Sequence, residues 1–375
     1  MVLIKVDFVM GPYKGGGPRN VYTLSGMLNS GNVKSKVIQF IDPKYFSFLN
    51  ENYFDENTLN ADVSRPGAIL SYANAMFEII THSPSALSFP FVSISMLSRF
   101  LTVSSEKASD IVIGTDWGTF HSAKFLADKN NAKLFYFVQA DERTFYNGLL
   151  YRRLAENTYH RQIPRFTQSK WLKTFLDNEF GGINHYIGFG INEIFFLPVE
   201  SNNFKKNIFT IARSGKAKGF DLFVKALNSL YETRKDFTVT IAGERTALND
   251  LKINFPYDFI GWVDDYETMK TLYNGSIFVH TGRNEALPMP PLEAMASCAS
   301  VIVSDIPGTL EYANHEWNCL VSINDNPVSI RNNINRLLDD ENLRANLQKN
   351  ALITASEYKW KNVMMKLREV LTIDT

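Results

Sequence analysis

With 375 residues, the chain exceeds what one hydrophobic core usually serves, so two domains of roughly 150 to 200 residues are the starting expectation. Lys plus Arg and Asp plus Glu both number 39, and a net charge of zero argues against a nucleic-acid partner, which would call for a basic excess. An ordinary share of apolar and charged residues excludes a disordered or fibrous chain, and the two cysteines, Cys298 and Cys319, are too few for a disulfide framework and lack metal-ligand spacing.

The first ten residues carry Lys5 and Asp7 and lack the basic and long apolar regions of a signal peptide, so they are expected to be a first strand. The most apolar stretch, 68–103, is interrupted by Glu78, His82, Pro84, Pro90 and Arg99, which leaves no clean window of about 20 apolar residues for a membrane span. A cytoplasmic location follows as the expectation, at the inner membrane surface if that stretch touches lipid. Its Phe77, Phe89, Phe91 and Phe100 suit either helices packed in a core or a peripheral contact with a membrane surface.

Short β-branched and aromatic runs alternate with helical patterns along the chain, the pattern of α/β folds with parallel sheets covered on both faces. Strands are expected at 2–9, 36–40, 110–114, 133–138 and 185–189. Val21, Leu24, Met27 and Leu28 form a helical stripe closed by Gly31. A second series repeats the design, with strands at 207–212, 237–242, 276–280, 300–304 and 319–322. The polar segment 195–206 reads as the linker. The domains are therefore 1–195 and 196–355. A helical pattern at 356–375, built on Trp360, Val363, Met364, Leu367 and Leu371, either docks on its own domain or crosses back to the first.

Three places carry candidate chemistry. The first strand runs into Gly11, Gly15, Gly16 and Gly17, and Pro18 then opens a helix. Such a turn lets backbone N–H groups approach an anion, though a plain Gly-rich turn looks the same. The spacing is not that of the dinucleotide fingerprint. In the second half, Arg213 ends a strand and Lys218-Gly219 precedes a helix. A forked and a point cation placed there could clamp a diphosphate, while a solvated loop would also contain them. The third place is the run from Thr281 to Met295, which sets Glu285 in a loop and Glu293 in a helix. Pro288, Pro290 and Pro291 stiffen that loop and aim a helix N-terminus at a ligand. Glu293 could accept from the hydroxyls of a ribose, and Glu285 from those of a sugar.

These stretches resemble glycosyltransferase family 4, the large retaining family of GT-B fold. The likeness rests on Ala212-Arg213, Lys218-Gly219-Phe220-Asp221, Ala242-Gly243-Glu244, Phe259-Ile260-Gly261-Trp262-Val263, the Glu285 to Glu293 pair followed by Ala294-Met295-Ala296, and Val303-Ser304-Asp305. It implies two Rossmann-like domains facing across a cleft, an N-terminal one for the acceptor and a C-terminal one for the donor. It also implies catalytic roles for Glu285, Arg213 and Lys218. Arg213 and Lys218 would hold the donor diphosphate, Glu293 the ribose, and Glu285 the transferred sugar. Ala286, Leu287, Pro288 and Met289 would add backbone contacts, Gly261 and Val263 would flank the base, and Gly16 and Gly17 match the family's glycine pair. Gln139 stands where the family often has His, and Ala286 where it often has Gly. With Asp141 and Glu142, Gln139 is a candidate for reading the sugar or acceptor, and this neighbourhood also resembles rhamnan-type rhamnosyltransferases, users of a dTDP-sugar.

No Asp-x-Asp occurs, and the six histidines show no metal-ligand pairing, so they are expected to be structural or surface residues, and neither metal nor cofactor is expected. The reaction implied moves a hexose or deoxyhexose from a nucleotide-diphosphate sugar to a glycan or lipid-linked acceptor with retention. A non-catalytic nucleotide-sugar or carbohydrate-binding protein would use the same contacts. A nicotinamide oxidoreductase lacks its fingerprint.

Overall fold

A computed structural model of the protein describes residues 3–11, 16–39, 62–64, 109–145, 148–198 and 204–373. The apolar stretch 68–103 lies outside the described residues. The chain divides into two compact units, one made of Met1–Ile187 with Met364–Thr375 and the other of Gly188–Val363.

The first unit holds a seven-stranded parallel sheet: β1 (Ile4–Met10), β2 (Val33–Gln39), β3 (Asp62–Ser64), β4 (Ile111–Gly114), β5 (Lys133–Phe137), β6 (Arg165–Thr167) and β7 (Asn184–Tyr186), in the order β3-β2-β1-β4-β5-β6-β7. Near-continuous apolar runs such as Val6 to Met10 are buried, as expected of strands covered on both faces. Its helices are α1 (Gly16–Leu28), α2 (Trp117–Asn130), α3 (Leu149–Tyr159) and α4 (Lys170–Phe180). Asp116 caps α2 by accepting the Thr119 N–H at 3.0 Å, and Ser169 caps α4 by accepting that of Leu172 at 3.2 Å. The sheet order reverses between β1 and β4, so the carboxyl ends of those strands form the switch point at which open α/β sheets bind ligands.

The second unit repeats this plan with β8 (Asn207–Ala212), β9 (Thr238–Gly243), β10 (Asp258–Gly261), β11 (Ile277–His280), β12 (Ser300–Ser304) and β13 (Leu320–Ser322), ordered β10-β9-β8-β11-β12-β13. Helices α5 (Phe220–Thr233), α6 (Tyr266–Tyr273), α7 (Pro290–Ala296), α8 (Pro307–Leu310), α9 (Pro327–Asp339) and α10 (Glu341–Ser356) accompany it. One core contains Phe223, Leu227, Ile241 and Ile334, and a second contains Phe209, Phe278, Met295 and Ala351. Here the switch point lies between β8 and β11.

The last helix, α11 (Trp360–Leu371), places Arg368 against Ser30 Oγ at 2.6 Å and Lys366 over the Tyr186 ring, and Thr372 just beyond it accepts from Lys133. Leu367, Leu371 and Ile373 are buried. Among the described residues no helix is long and apolar enough to cross a membrane.

Three strands escape the sequence pattern: Asp62–Ser64, Arg165–Thr167 and Asp258–Gly261. Each is too short to display a period. In β6 the pattern is further broken by Arg165, which is buried because its guanidinium donates to the carbonyls of Tyr159 and Gly181. The strand expected at 185–189 ends earlier, at Tyr186, and Gly188 turns the chain with φ +82°.

Candidate active site

The loops at the carboxyl ends of β8, β9 and β11 gather most of the expected donor-binding side chains. Arg213 follows β8 directly, and its Nε donates to Glu244 Oε1 at 2.9 Å, while Glu244 Oε2 accepts the Ser214 N–H at 2.9 Å. The Arg213 guanidinium also lies 5.0 Å from the centre of the Trp262 ring, just past β10. Burial acts to push the Glu244 carboxyl up, but the Ser214 hydrogen bonds and the charge of Arg213 prevail and hold it below its usual value.

Lys218 reaches the other side of the β8 end. Its Nζ donates to Glu285 Oε2 at 2.8 Å, so this pair spans the switch point. His280, the last residue of β11, brings Nε2 to 3.2 Å from Glu285 Oε1. The two are close but poorly aligned for a hydrogen bond, and His280 Nε2 is a buried nitrogen without a hydrogen-bond partner among the described residues. Burial alone would raise the Glu285 carboxyl, yet His280 and Lys218 outweigh it and bring it down to about 2. Glu285 is therefore ionised throughout the neutral range, an acceptor of hydrogen bonds with a permanent charge.

Two contacts lock the loops into this arrangement. Arg283 grips Asp221 at the start of α5 with a fork of 2.7 and 2.9 Å, and its N–H donates to Ala217 O at 2.7 Å. Gly219, with φ +68°, lets the Lys218 loop press against Thr281 O, where a Cβ would stand 1.8 Å away. The segment after Glu285 is also pinned. Leu287 and Met289 pack on the second core, Tyr312 O–H donates to Pro288 O at 3.1 Å, and Gly308 lies under the backbone of Glu285 and Ala286. One expectation needs correction, because the start of α7 offers fewer donors than its place implied. Pro290 and Pro291 bring no N–H, and that of Glu293 is bonded to Met289 O at 3.1 Å. Glu293 is half-buried, with Tyr273 O–H donating to it at 3.3 Å. Gly261 ends β10 with φ +74°, and Val263 packs beside the second core.

In the first unit, Gly16 and Gly17 open α1, and Asp116 Oδ2 accepts the Gly11 N–H at 3.3 Å across the β1/β4 switch point. Gln139 stands next to Gly17, where a Cβ would lie 3.3 Å from Gln139 Oε1, and its Nε2 is 3.5 Å from Thr115 O. Its two acidic neighbours are engaged in internal contacts. Asp141 is gripped by Arg143 at 2.9 Å through both Nε and Nη2. Glu142 is a correction to the expected set: it is buried at the start of α2, accepts from Trp117 N–H and Tyr136 O–H at 2.7 Å each, and its own N–H donates to Tyr159 Oη at 3.0 Å. Burial and the neighbouring Asp116 charge push its carboxyl well up.

The sequence pattern gave no role to Glu244, His280 or Trp262. Each stands at or just beyond a strand end next to an expected ligand, which is the signal that could have marked them. Among the described residues no three His, Cys, Asp or Glu side chains group as metal ligands.

Residues 193–353 match the family described as glycosyl transferases group 1. Over 178 residues the chain is 30% identical to an uncharacterized glycosyltransferase of Methanocaldococcus jannaschii, a match covering 45% of each protein. It is 28% identical over 184 residues to the N,N'-diacetylbacillosaminyl-diphospho-undecaprenol alpha-1,3-N-acetylgalactosaminyltransferase of Campylobacter jejuni, covering 45% of this chain and 48% of that one. The chain thus spans less than half the length of these two relatives. In fold the likeness is nearly complete. Anabaena HepE in complex with UDP and glucose superposes with a TM-score of 0.72 at 16% identity, over 98% of this chain and 99% of that one. Sucrose-phosphate synthase of Thermosynechococcus elongatus gives 0.76 at 13% identity, over 98% of both chains. The chain therefore has two Rossmann-like units with the fold of the GT-B structures, and its residues 193–353 are similar to the group 1 glycosyl transferases.

Proposed function

We propose that the protein is a glycosyltransferase that moves a hexose or deoxyhexose from a nucleotide-diphosphate sugar to a glycan or lipid-linked acceptor with retention of configuration. The observation that carries this reading is the ionised Glu285, held between Lys218 and His280 at the β8/β11 switch point inside the group 1 domain. Arg213 and Lys218 supply positive charge for a departing diphosphate without a metal ion. Glu285 orients the sugar by accepting from its hydroxyls, and Glu293 accepts from the ribose. Cleavage of the bond between the sugar and the diphosphate leaves an oxocarbenium-like centre, and retention requires the acceptor hydroxyl to attack from the face the diphosphate leaves, its proton passing to the departing phosphate oxygen. The diphospho-undecaprenol sugar in the name of the Campylobacter relative supports a lipid-linked substrate and, with it, a place near the inner membrane surface.

The test is incubation of the protein with UDP-glucose, UDP-N-acetylgalactosamine and dTDP-rhamnose, with and without lipid-linked or glycan acceptors. Release of nucleotide diphosphate that depends on acceptor, and a product of the donor's anomeric configuration by nuclear magnetic resonance, are expected. Saturable binding with no turnover would instead assign the chain to sugar-nucleotide binding. A product of inverted configuration would overturn the retaining step.

A further inference from the structure

Three strand ends meet around Arg213. Strands β8 and β9 pair Ala212 with Gly243, so Arg213 and Glu244 leave the sheet level with each other. Strand β10 follows β9 regularly at first, with Asp258 opposite Thr240 and Phe259 opposite Ile241, but Gly261 rather than Ile260 then stands opposite Ala242. Ile260 is thus an extra residue, a bulge on the edge strand, and it is 42% exposed. A bulge breaks the alternation of a strand and re-aims the side chains that follow it. Gly261 adds a φ of +74° with nothing within 4 Å of its Cβ position, so the backbone angle and not crowding calls for glycine there. The side chain that these two features turn is Trp262.

The Trp262 ring centre lies 5.0 Å from the Arg213 guanidinium, within the reach of a cation–π contact. Its indole N–H donates to Asp264 Oδ1, which fixes the ring. Trp262 is 40% exposed, so filling a core does not account for its place. Arg213 needs such a neighbour. Its bond through Nε to Glu244 holds one point of the guanidinium and leaves the group free to turn about that point. A ring against the guanidinium restricts the turning and attracts the charge, which keeps both amino ends clear for a forked contact with an anion.

We propose that Trp262, anchored by Asp264, is a positioning residue that holds the Arg213 guanidinium in place for the donor diphosphate. This rests on the reading of Arg213 as a diphosphate ligand and deepens it.

A double-mutant cycle on nucleotide binding tests the coupling. Wild type, Trp262→Leu, Arg213→Ala and the double variant are titrated by calorimetry with UDP, dTDP, GDP and ADP, and the nucleotide that wild type binds best is the probe. Trp262→Leu should weaken it about threefold to thirtyfold, the range of a cation–π contact, while Trp262→Phe keeps most of the affinity. In the Arg213→Ala background the leucine substitution should change affinity by less than about twofold, because the ring then has no cation to hold. An equal loss in both backgrounds shows that the ring acts on the base instead and overturns the proposal, as does an unchanged affinity in Trp262→Leu. If Trp262→Leu does not fold, Asp264→Ala takes its place in the cycle. That variant keeps the ring and removes its anchor, and its loss should again vanish without Arg213; a loss that persists overturns the proposal. Failure of the parent reading looks different: wild type binds none of the four nucleotides, or Arg213→Ala alone binds as tightly as wild type, and in either case this proposal falls with it.

Discussion

Gly219→Ala adds one methyl group between the loop that carries Lys218 and the loop that carries Glu285. Two separate costs follow. At φ +68° any side chain adds roughly 1–2 kcal/mol of strain. The Cβ would also stand 1.8 Å from Thr281 O, where ordinary contact begins near 3.4 Å, so about 1.5 Å must open between the loops. Misplacement of about 1 Å near a reacting centre costs on the order of 100-fold, so kcat/KM should fall by at least that much while both sheets persist. Two other glycines separate the costs. Gly215 has φ +101° and nothing within 4 Å of its Cβ position, so Gly215→Ala imposes strain of about 1–3 kcal/mol without a clash. Gly308→Ala brings a Cβ to 2.1 Å from Glu285 O at an ordinary φ, a clash without the strain. Turnover of nucleotide sugar and thermal unfolding of the three variants should show activity lost in Gly219→Ala and Gly308→Ala, and stability alone reduced in Gly215→Ala. If Gly219→Ala matches Gly215→Ala in both measurements, the close approach of the two loops does not control the site.

Arg213→Ala and Lys218→Ala should each lower turnover roughly 100-fold at saturating donor, the scale for losing one charge-stabilising donor in a transition state; near-wild-type rates in both would show that the diphosphate is held elsewhere. A Glu285 carboxyl held at about 2 rather than 4.5 corresponds to roughly 3 kcal/mol favouring the charged, folded arrangement. Because the folded value is the lower one, that contribution is fully present above about pH 4.5 and disappears as pH falls toward about 2. The stability gap between wild type and Glu285→Gln, measured by denaturant titration, should therefore close across this window, and a gap independent of pH would contradict the pairing with Lys218 and His280. Chelator should leave transfer largely intact, since the protein supplies its own cations; complete loss with rescue by magnesium or manganese would refute this.

The fold was legible because buried parallel strands are written as short apolar runs, and most of these met the observed strands within one or two residues. The strands that were missed have three or four residues and obey no period, and in β6 a buried Arg165 hides the apolar signal because its guanidinium donates to the carbonyls of Tyr159 and Gly181 on neighbouring segments. In the site, spacing found Lys218 and Glu285 but not what joins them, since a contact between residues 67 apart depends on strand order rather than on sequence. His280 was legible as the end of a strand, and its approach to Glu285 was not. Glu142 shows the opposite failure. An acidic residue after a strand suggests a site, but this one turns inward to the start of α2 and to Tyr136.

The ion pairs of the second unit bear on how a site can hold two strong cations ready for a diphosphate. An unpaired cation would need solvent or a counterion and would reorganise when the donor arrives. Here each cation has a carboxylate that fixes it and uses only part of its donor capacity. Glu244 takes the Nε of Arg213, while the two amino ends of the guanidinium can still form a fork toward an anion. Glu285 takes one of the three donors of Lys218. Their side chains remain about one-third exposed, at 35% and 34%, whereas that of Glu285 is only 17% exposed. The carboxylate is thus the inner member of the Lys218 pair and the ammonium the outer one. In the proposed reaction a diphosphate can meet both cations without displacing either carboxylate, so the orientation of Glu285 toward the sugar survives donor binding. In that proposed reaction the charges are pre-set where the bond is cleaved, and the loops carrying them are already tied together by Arg283 and Asp221.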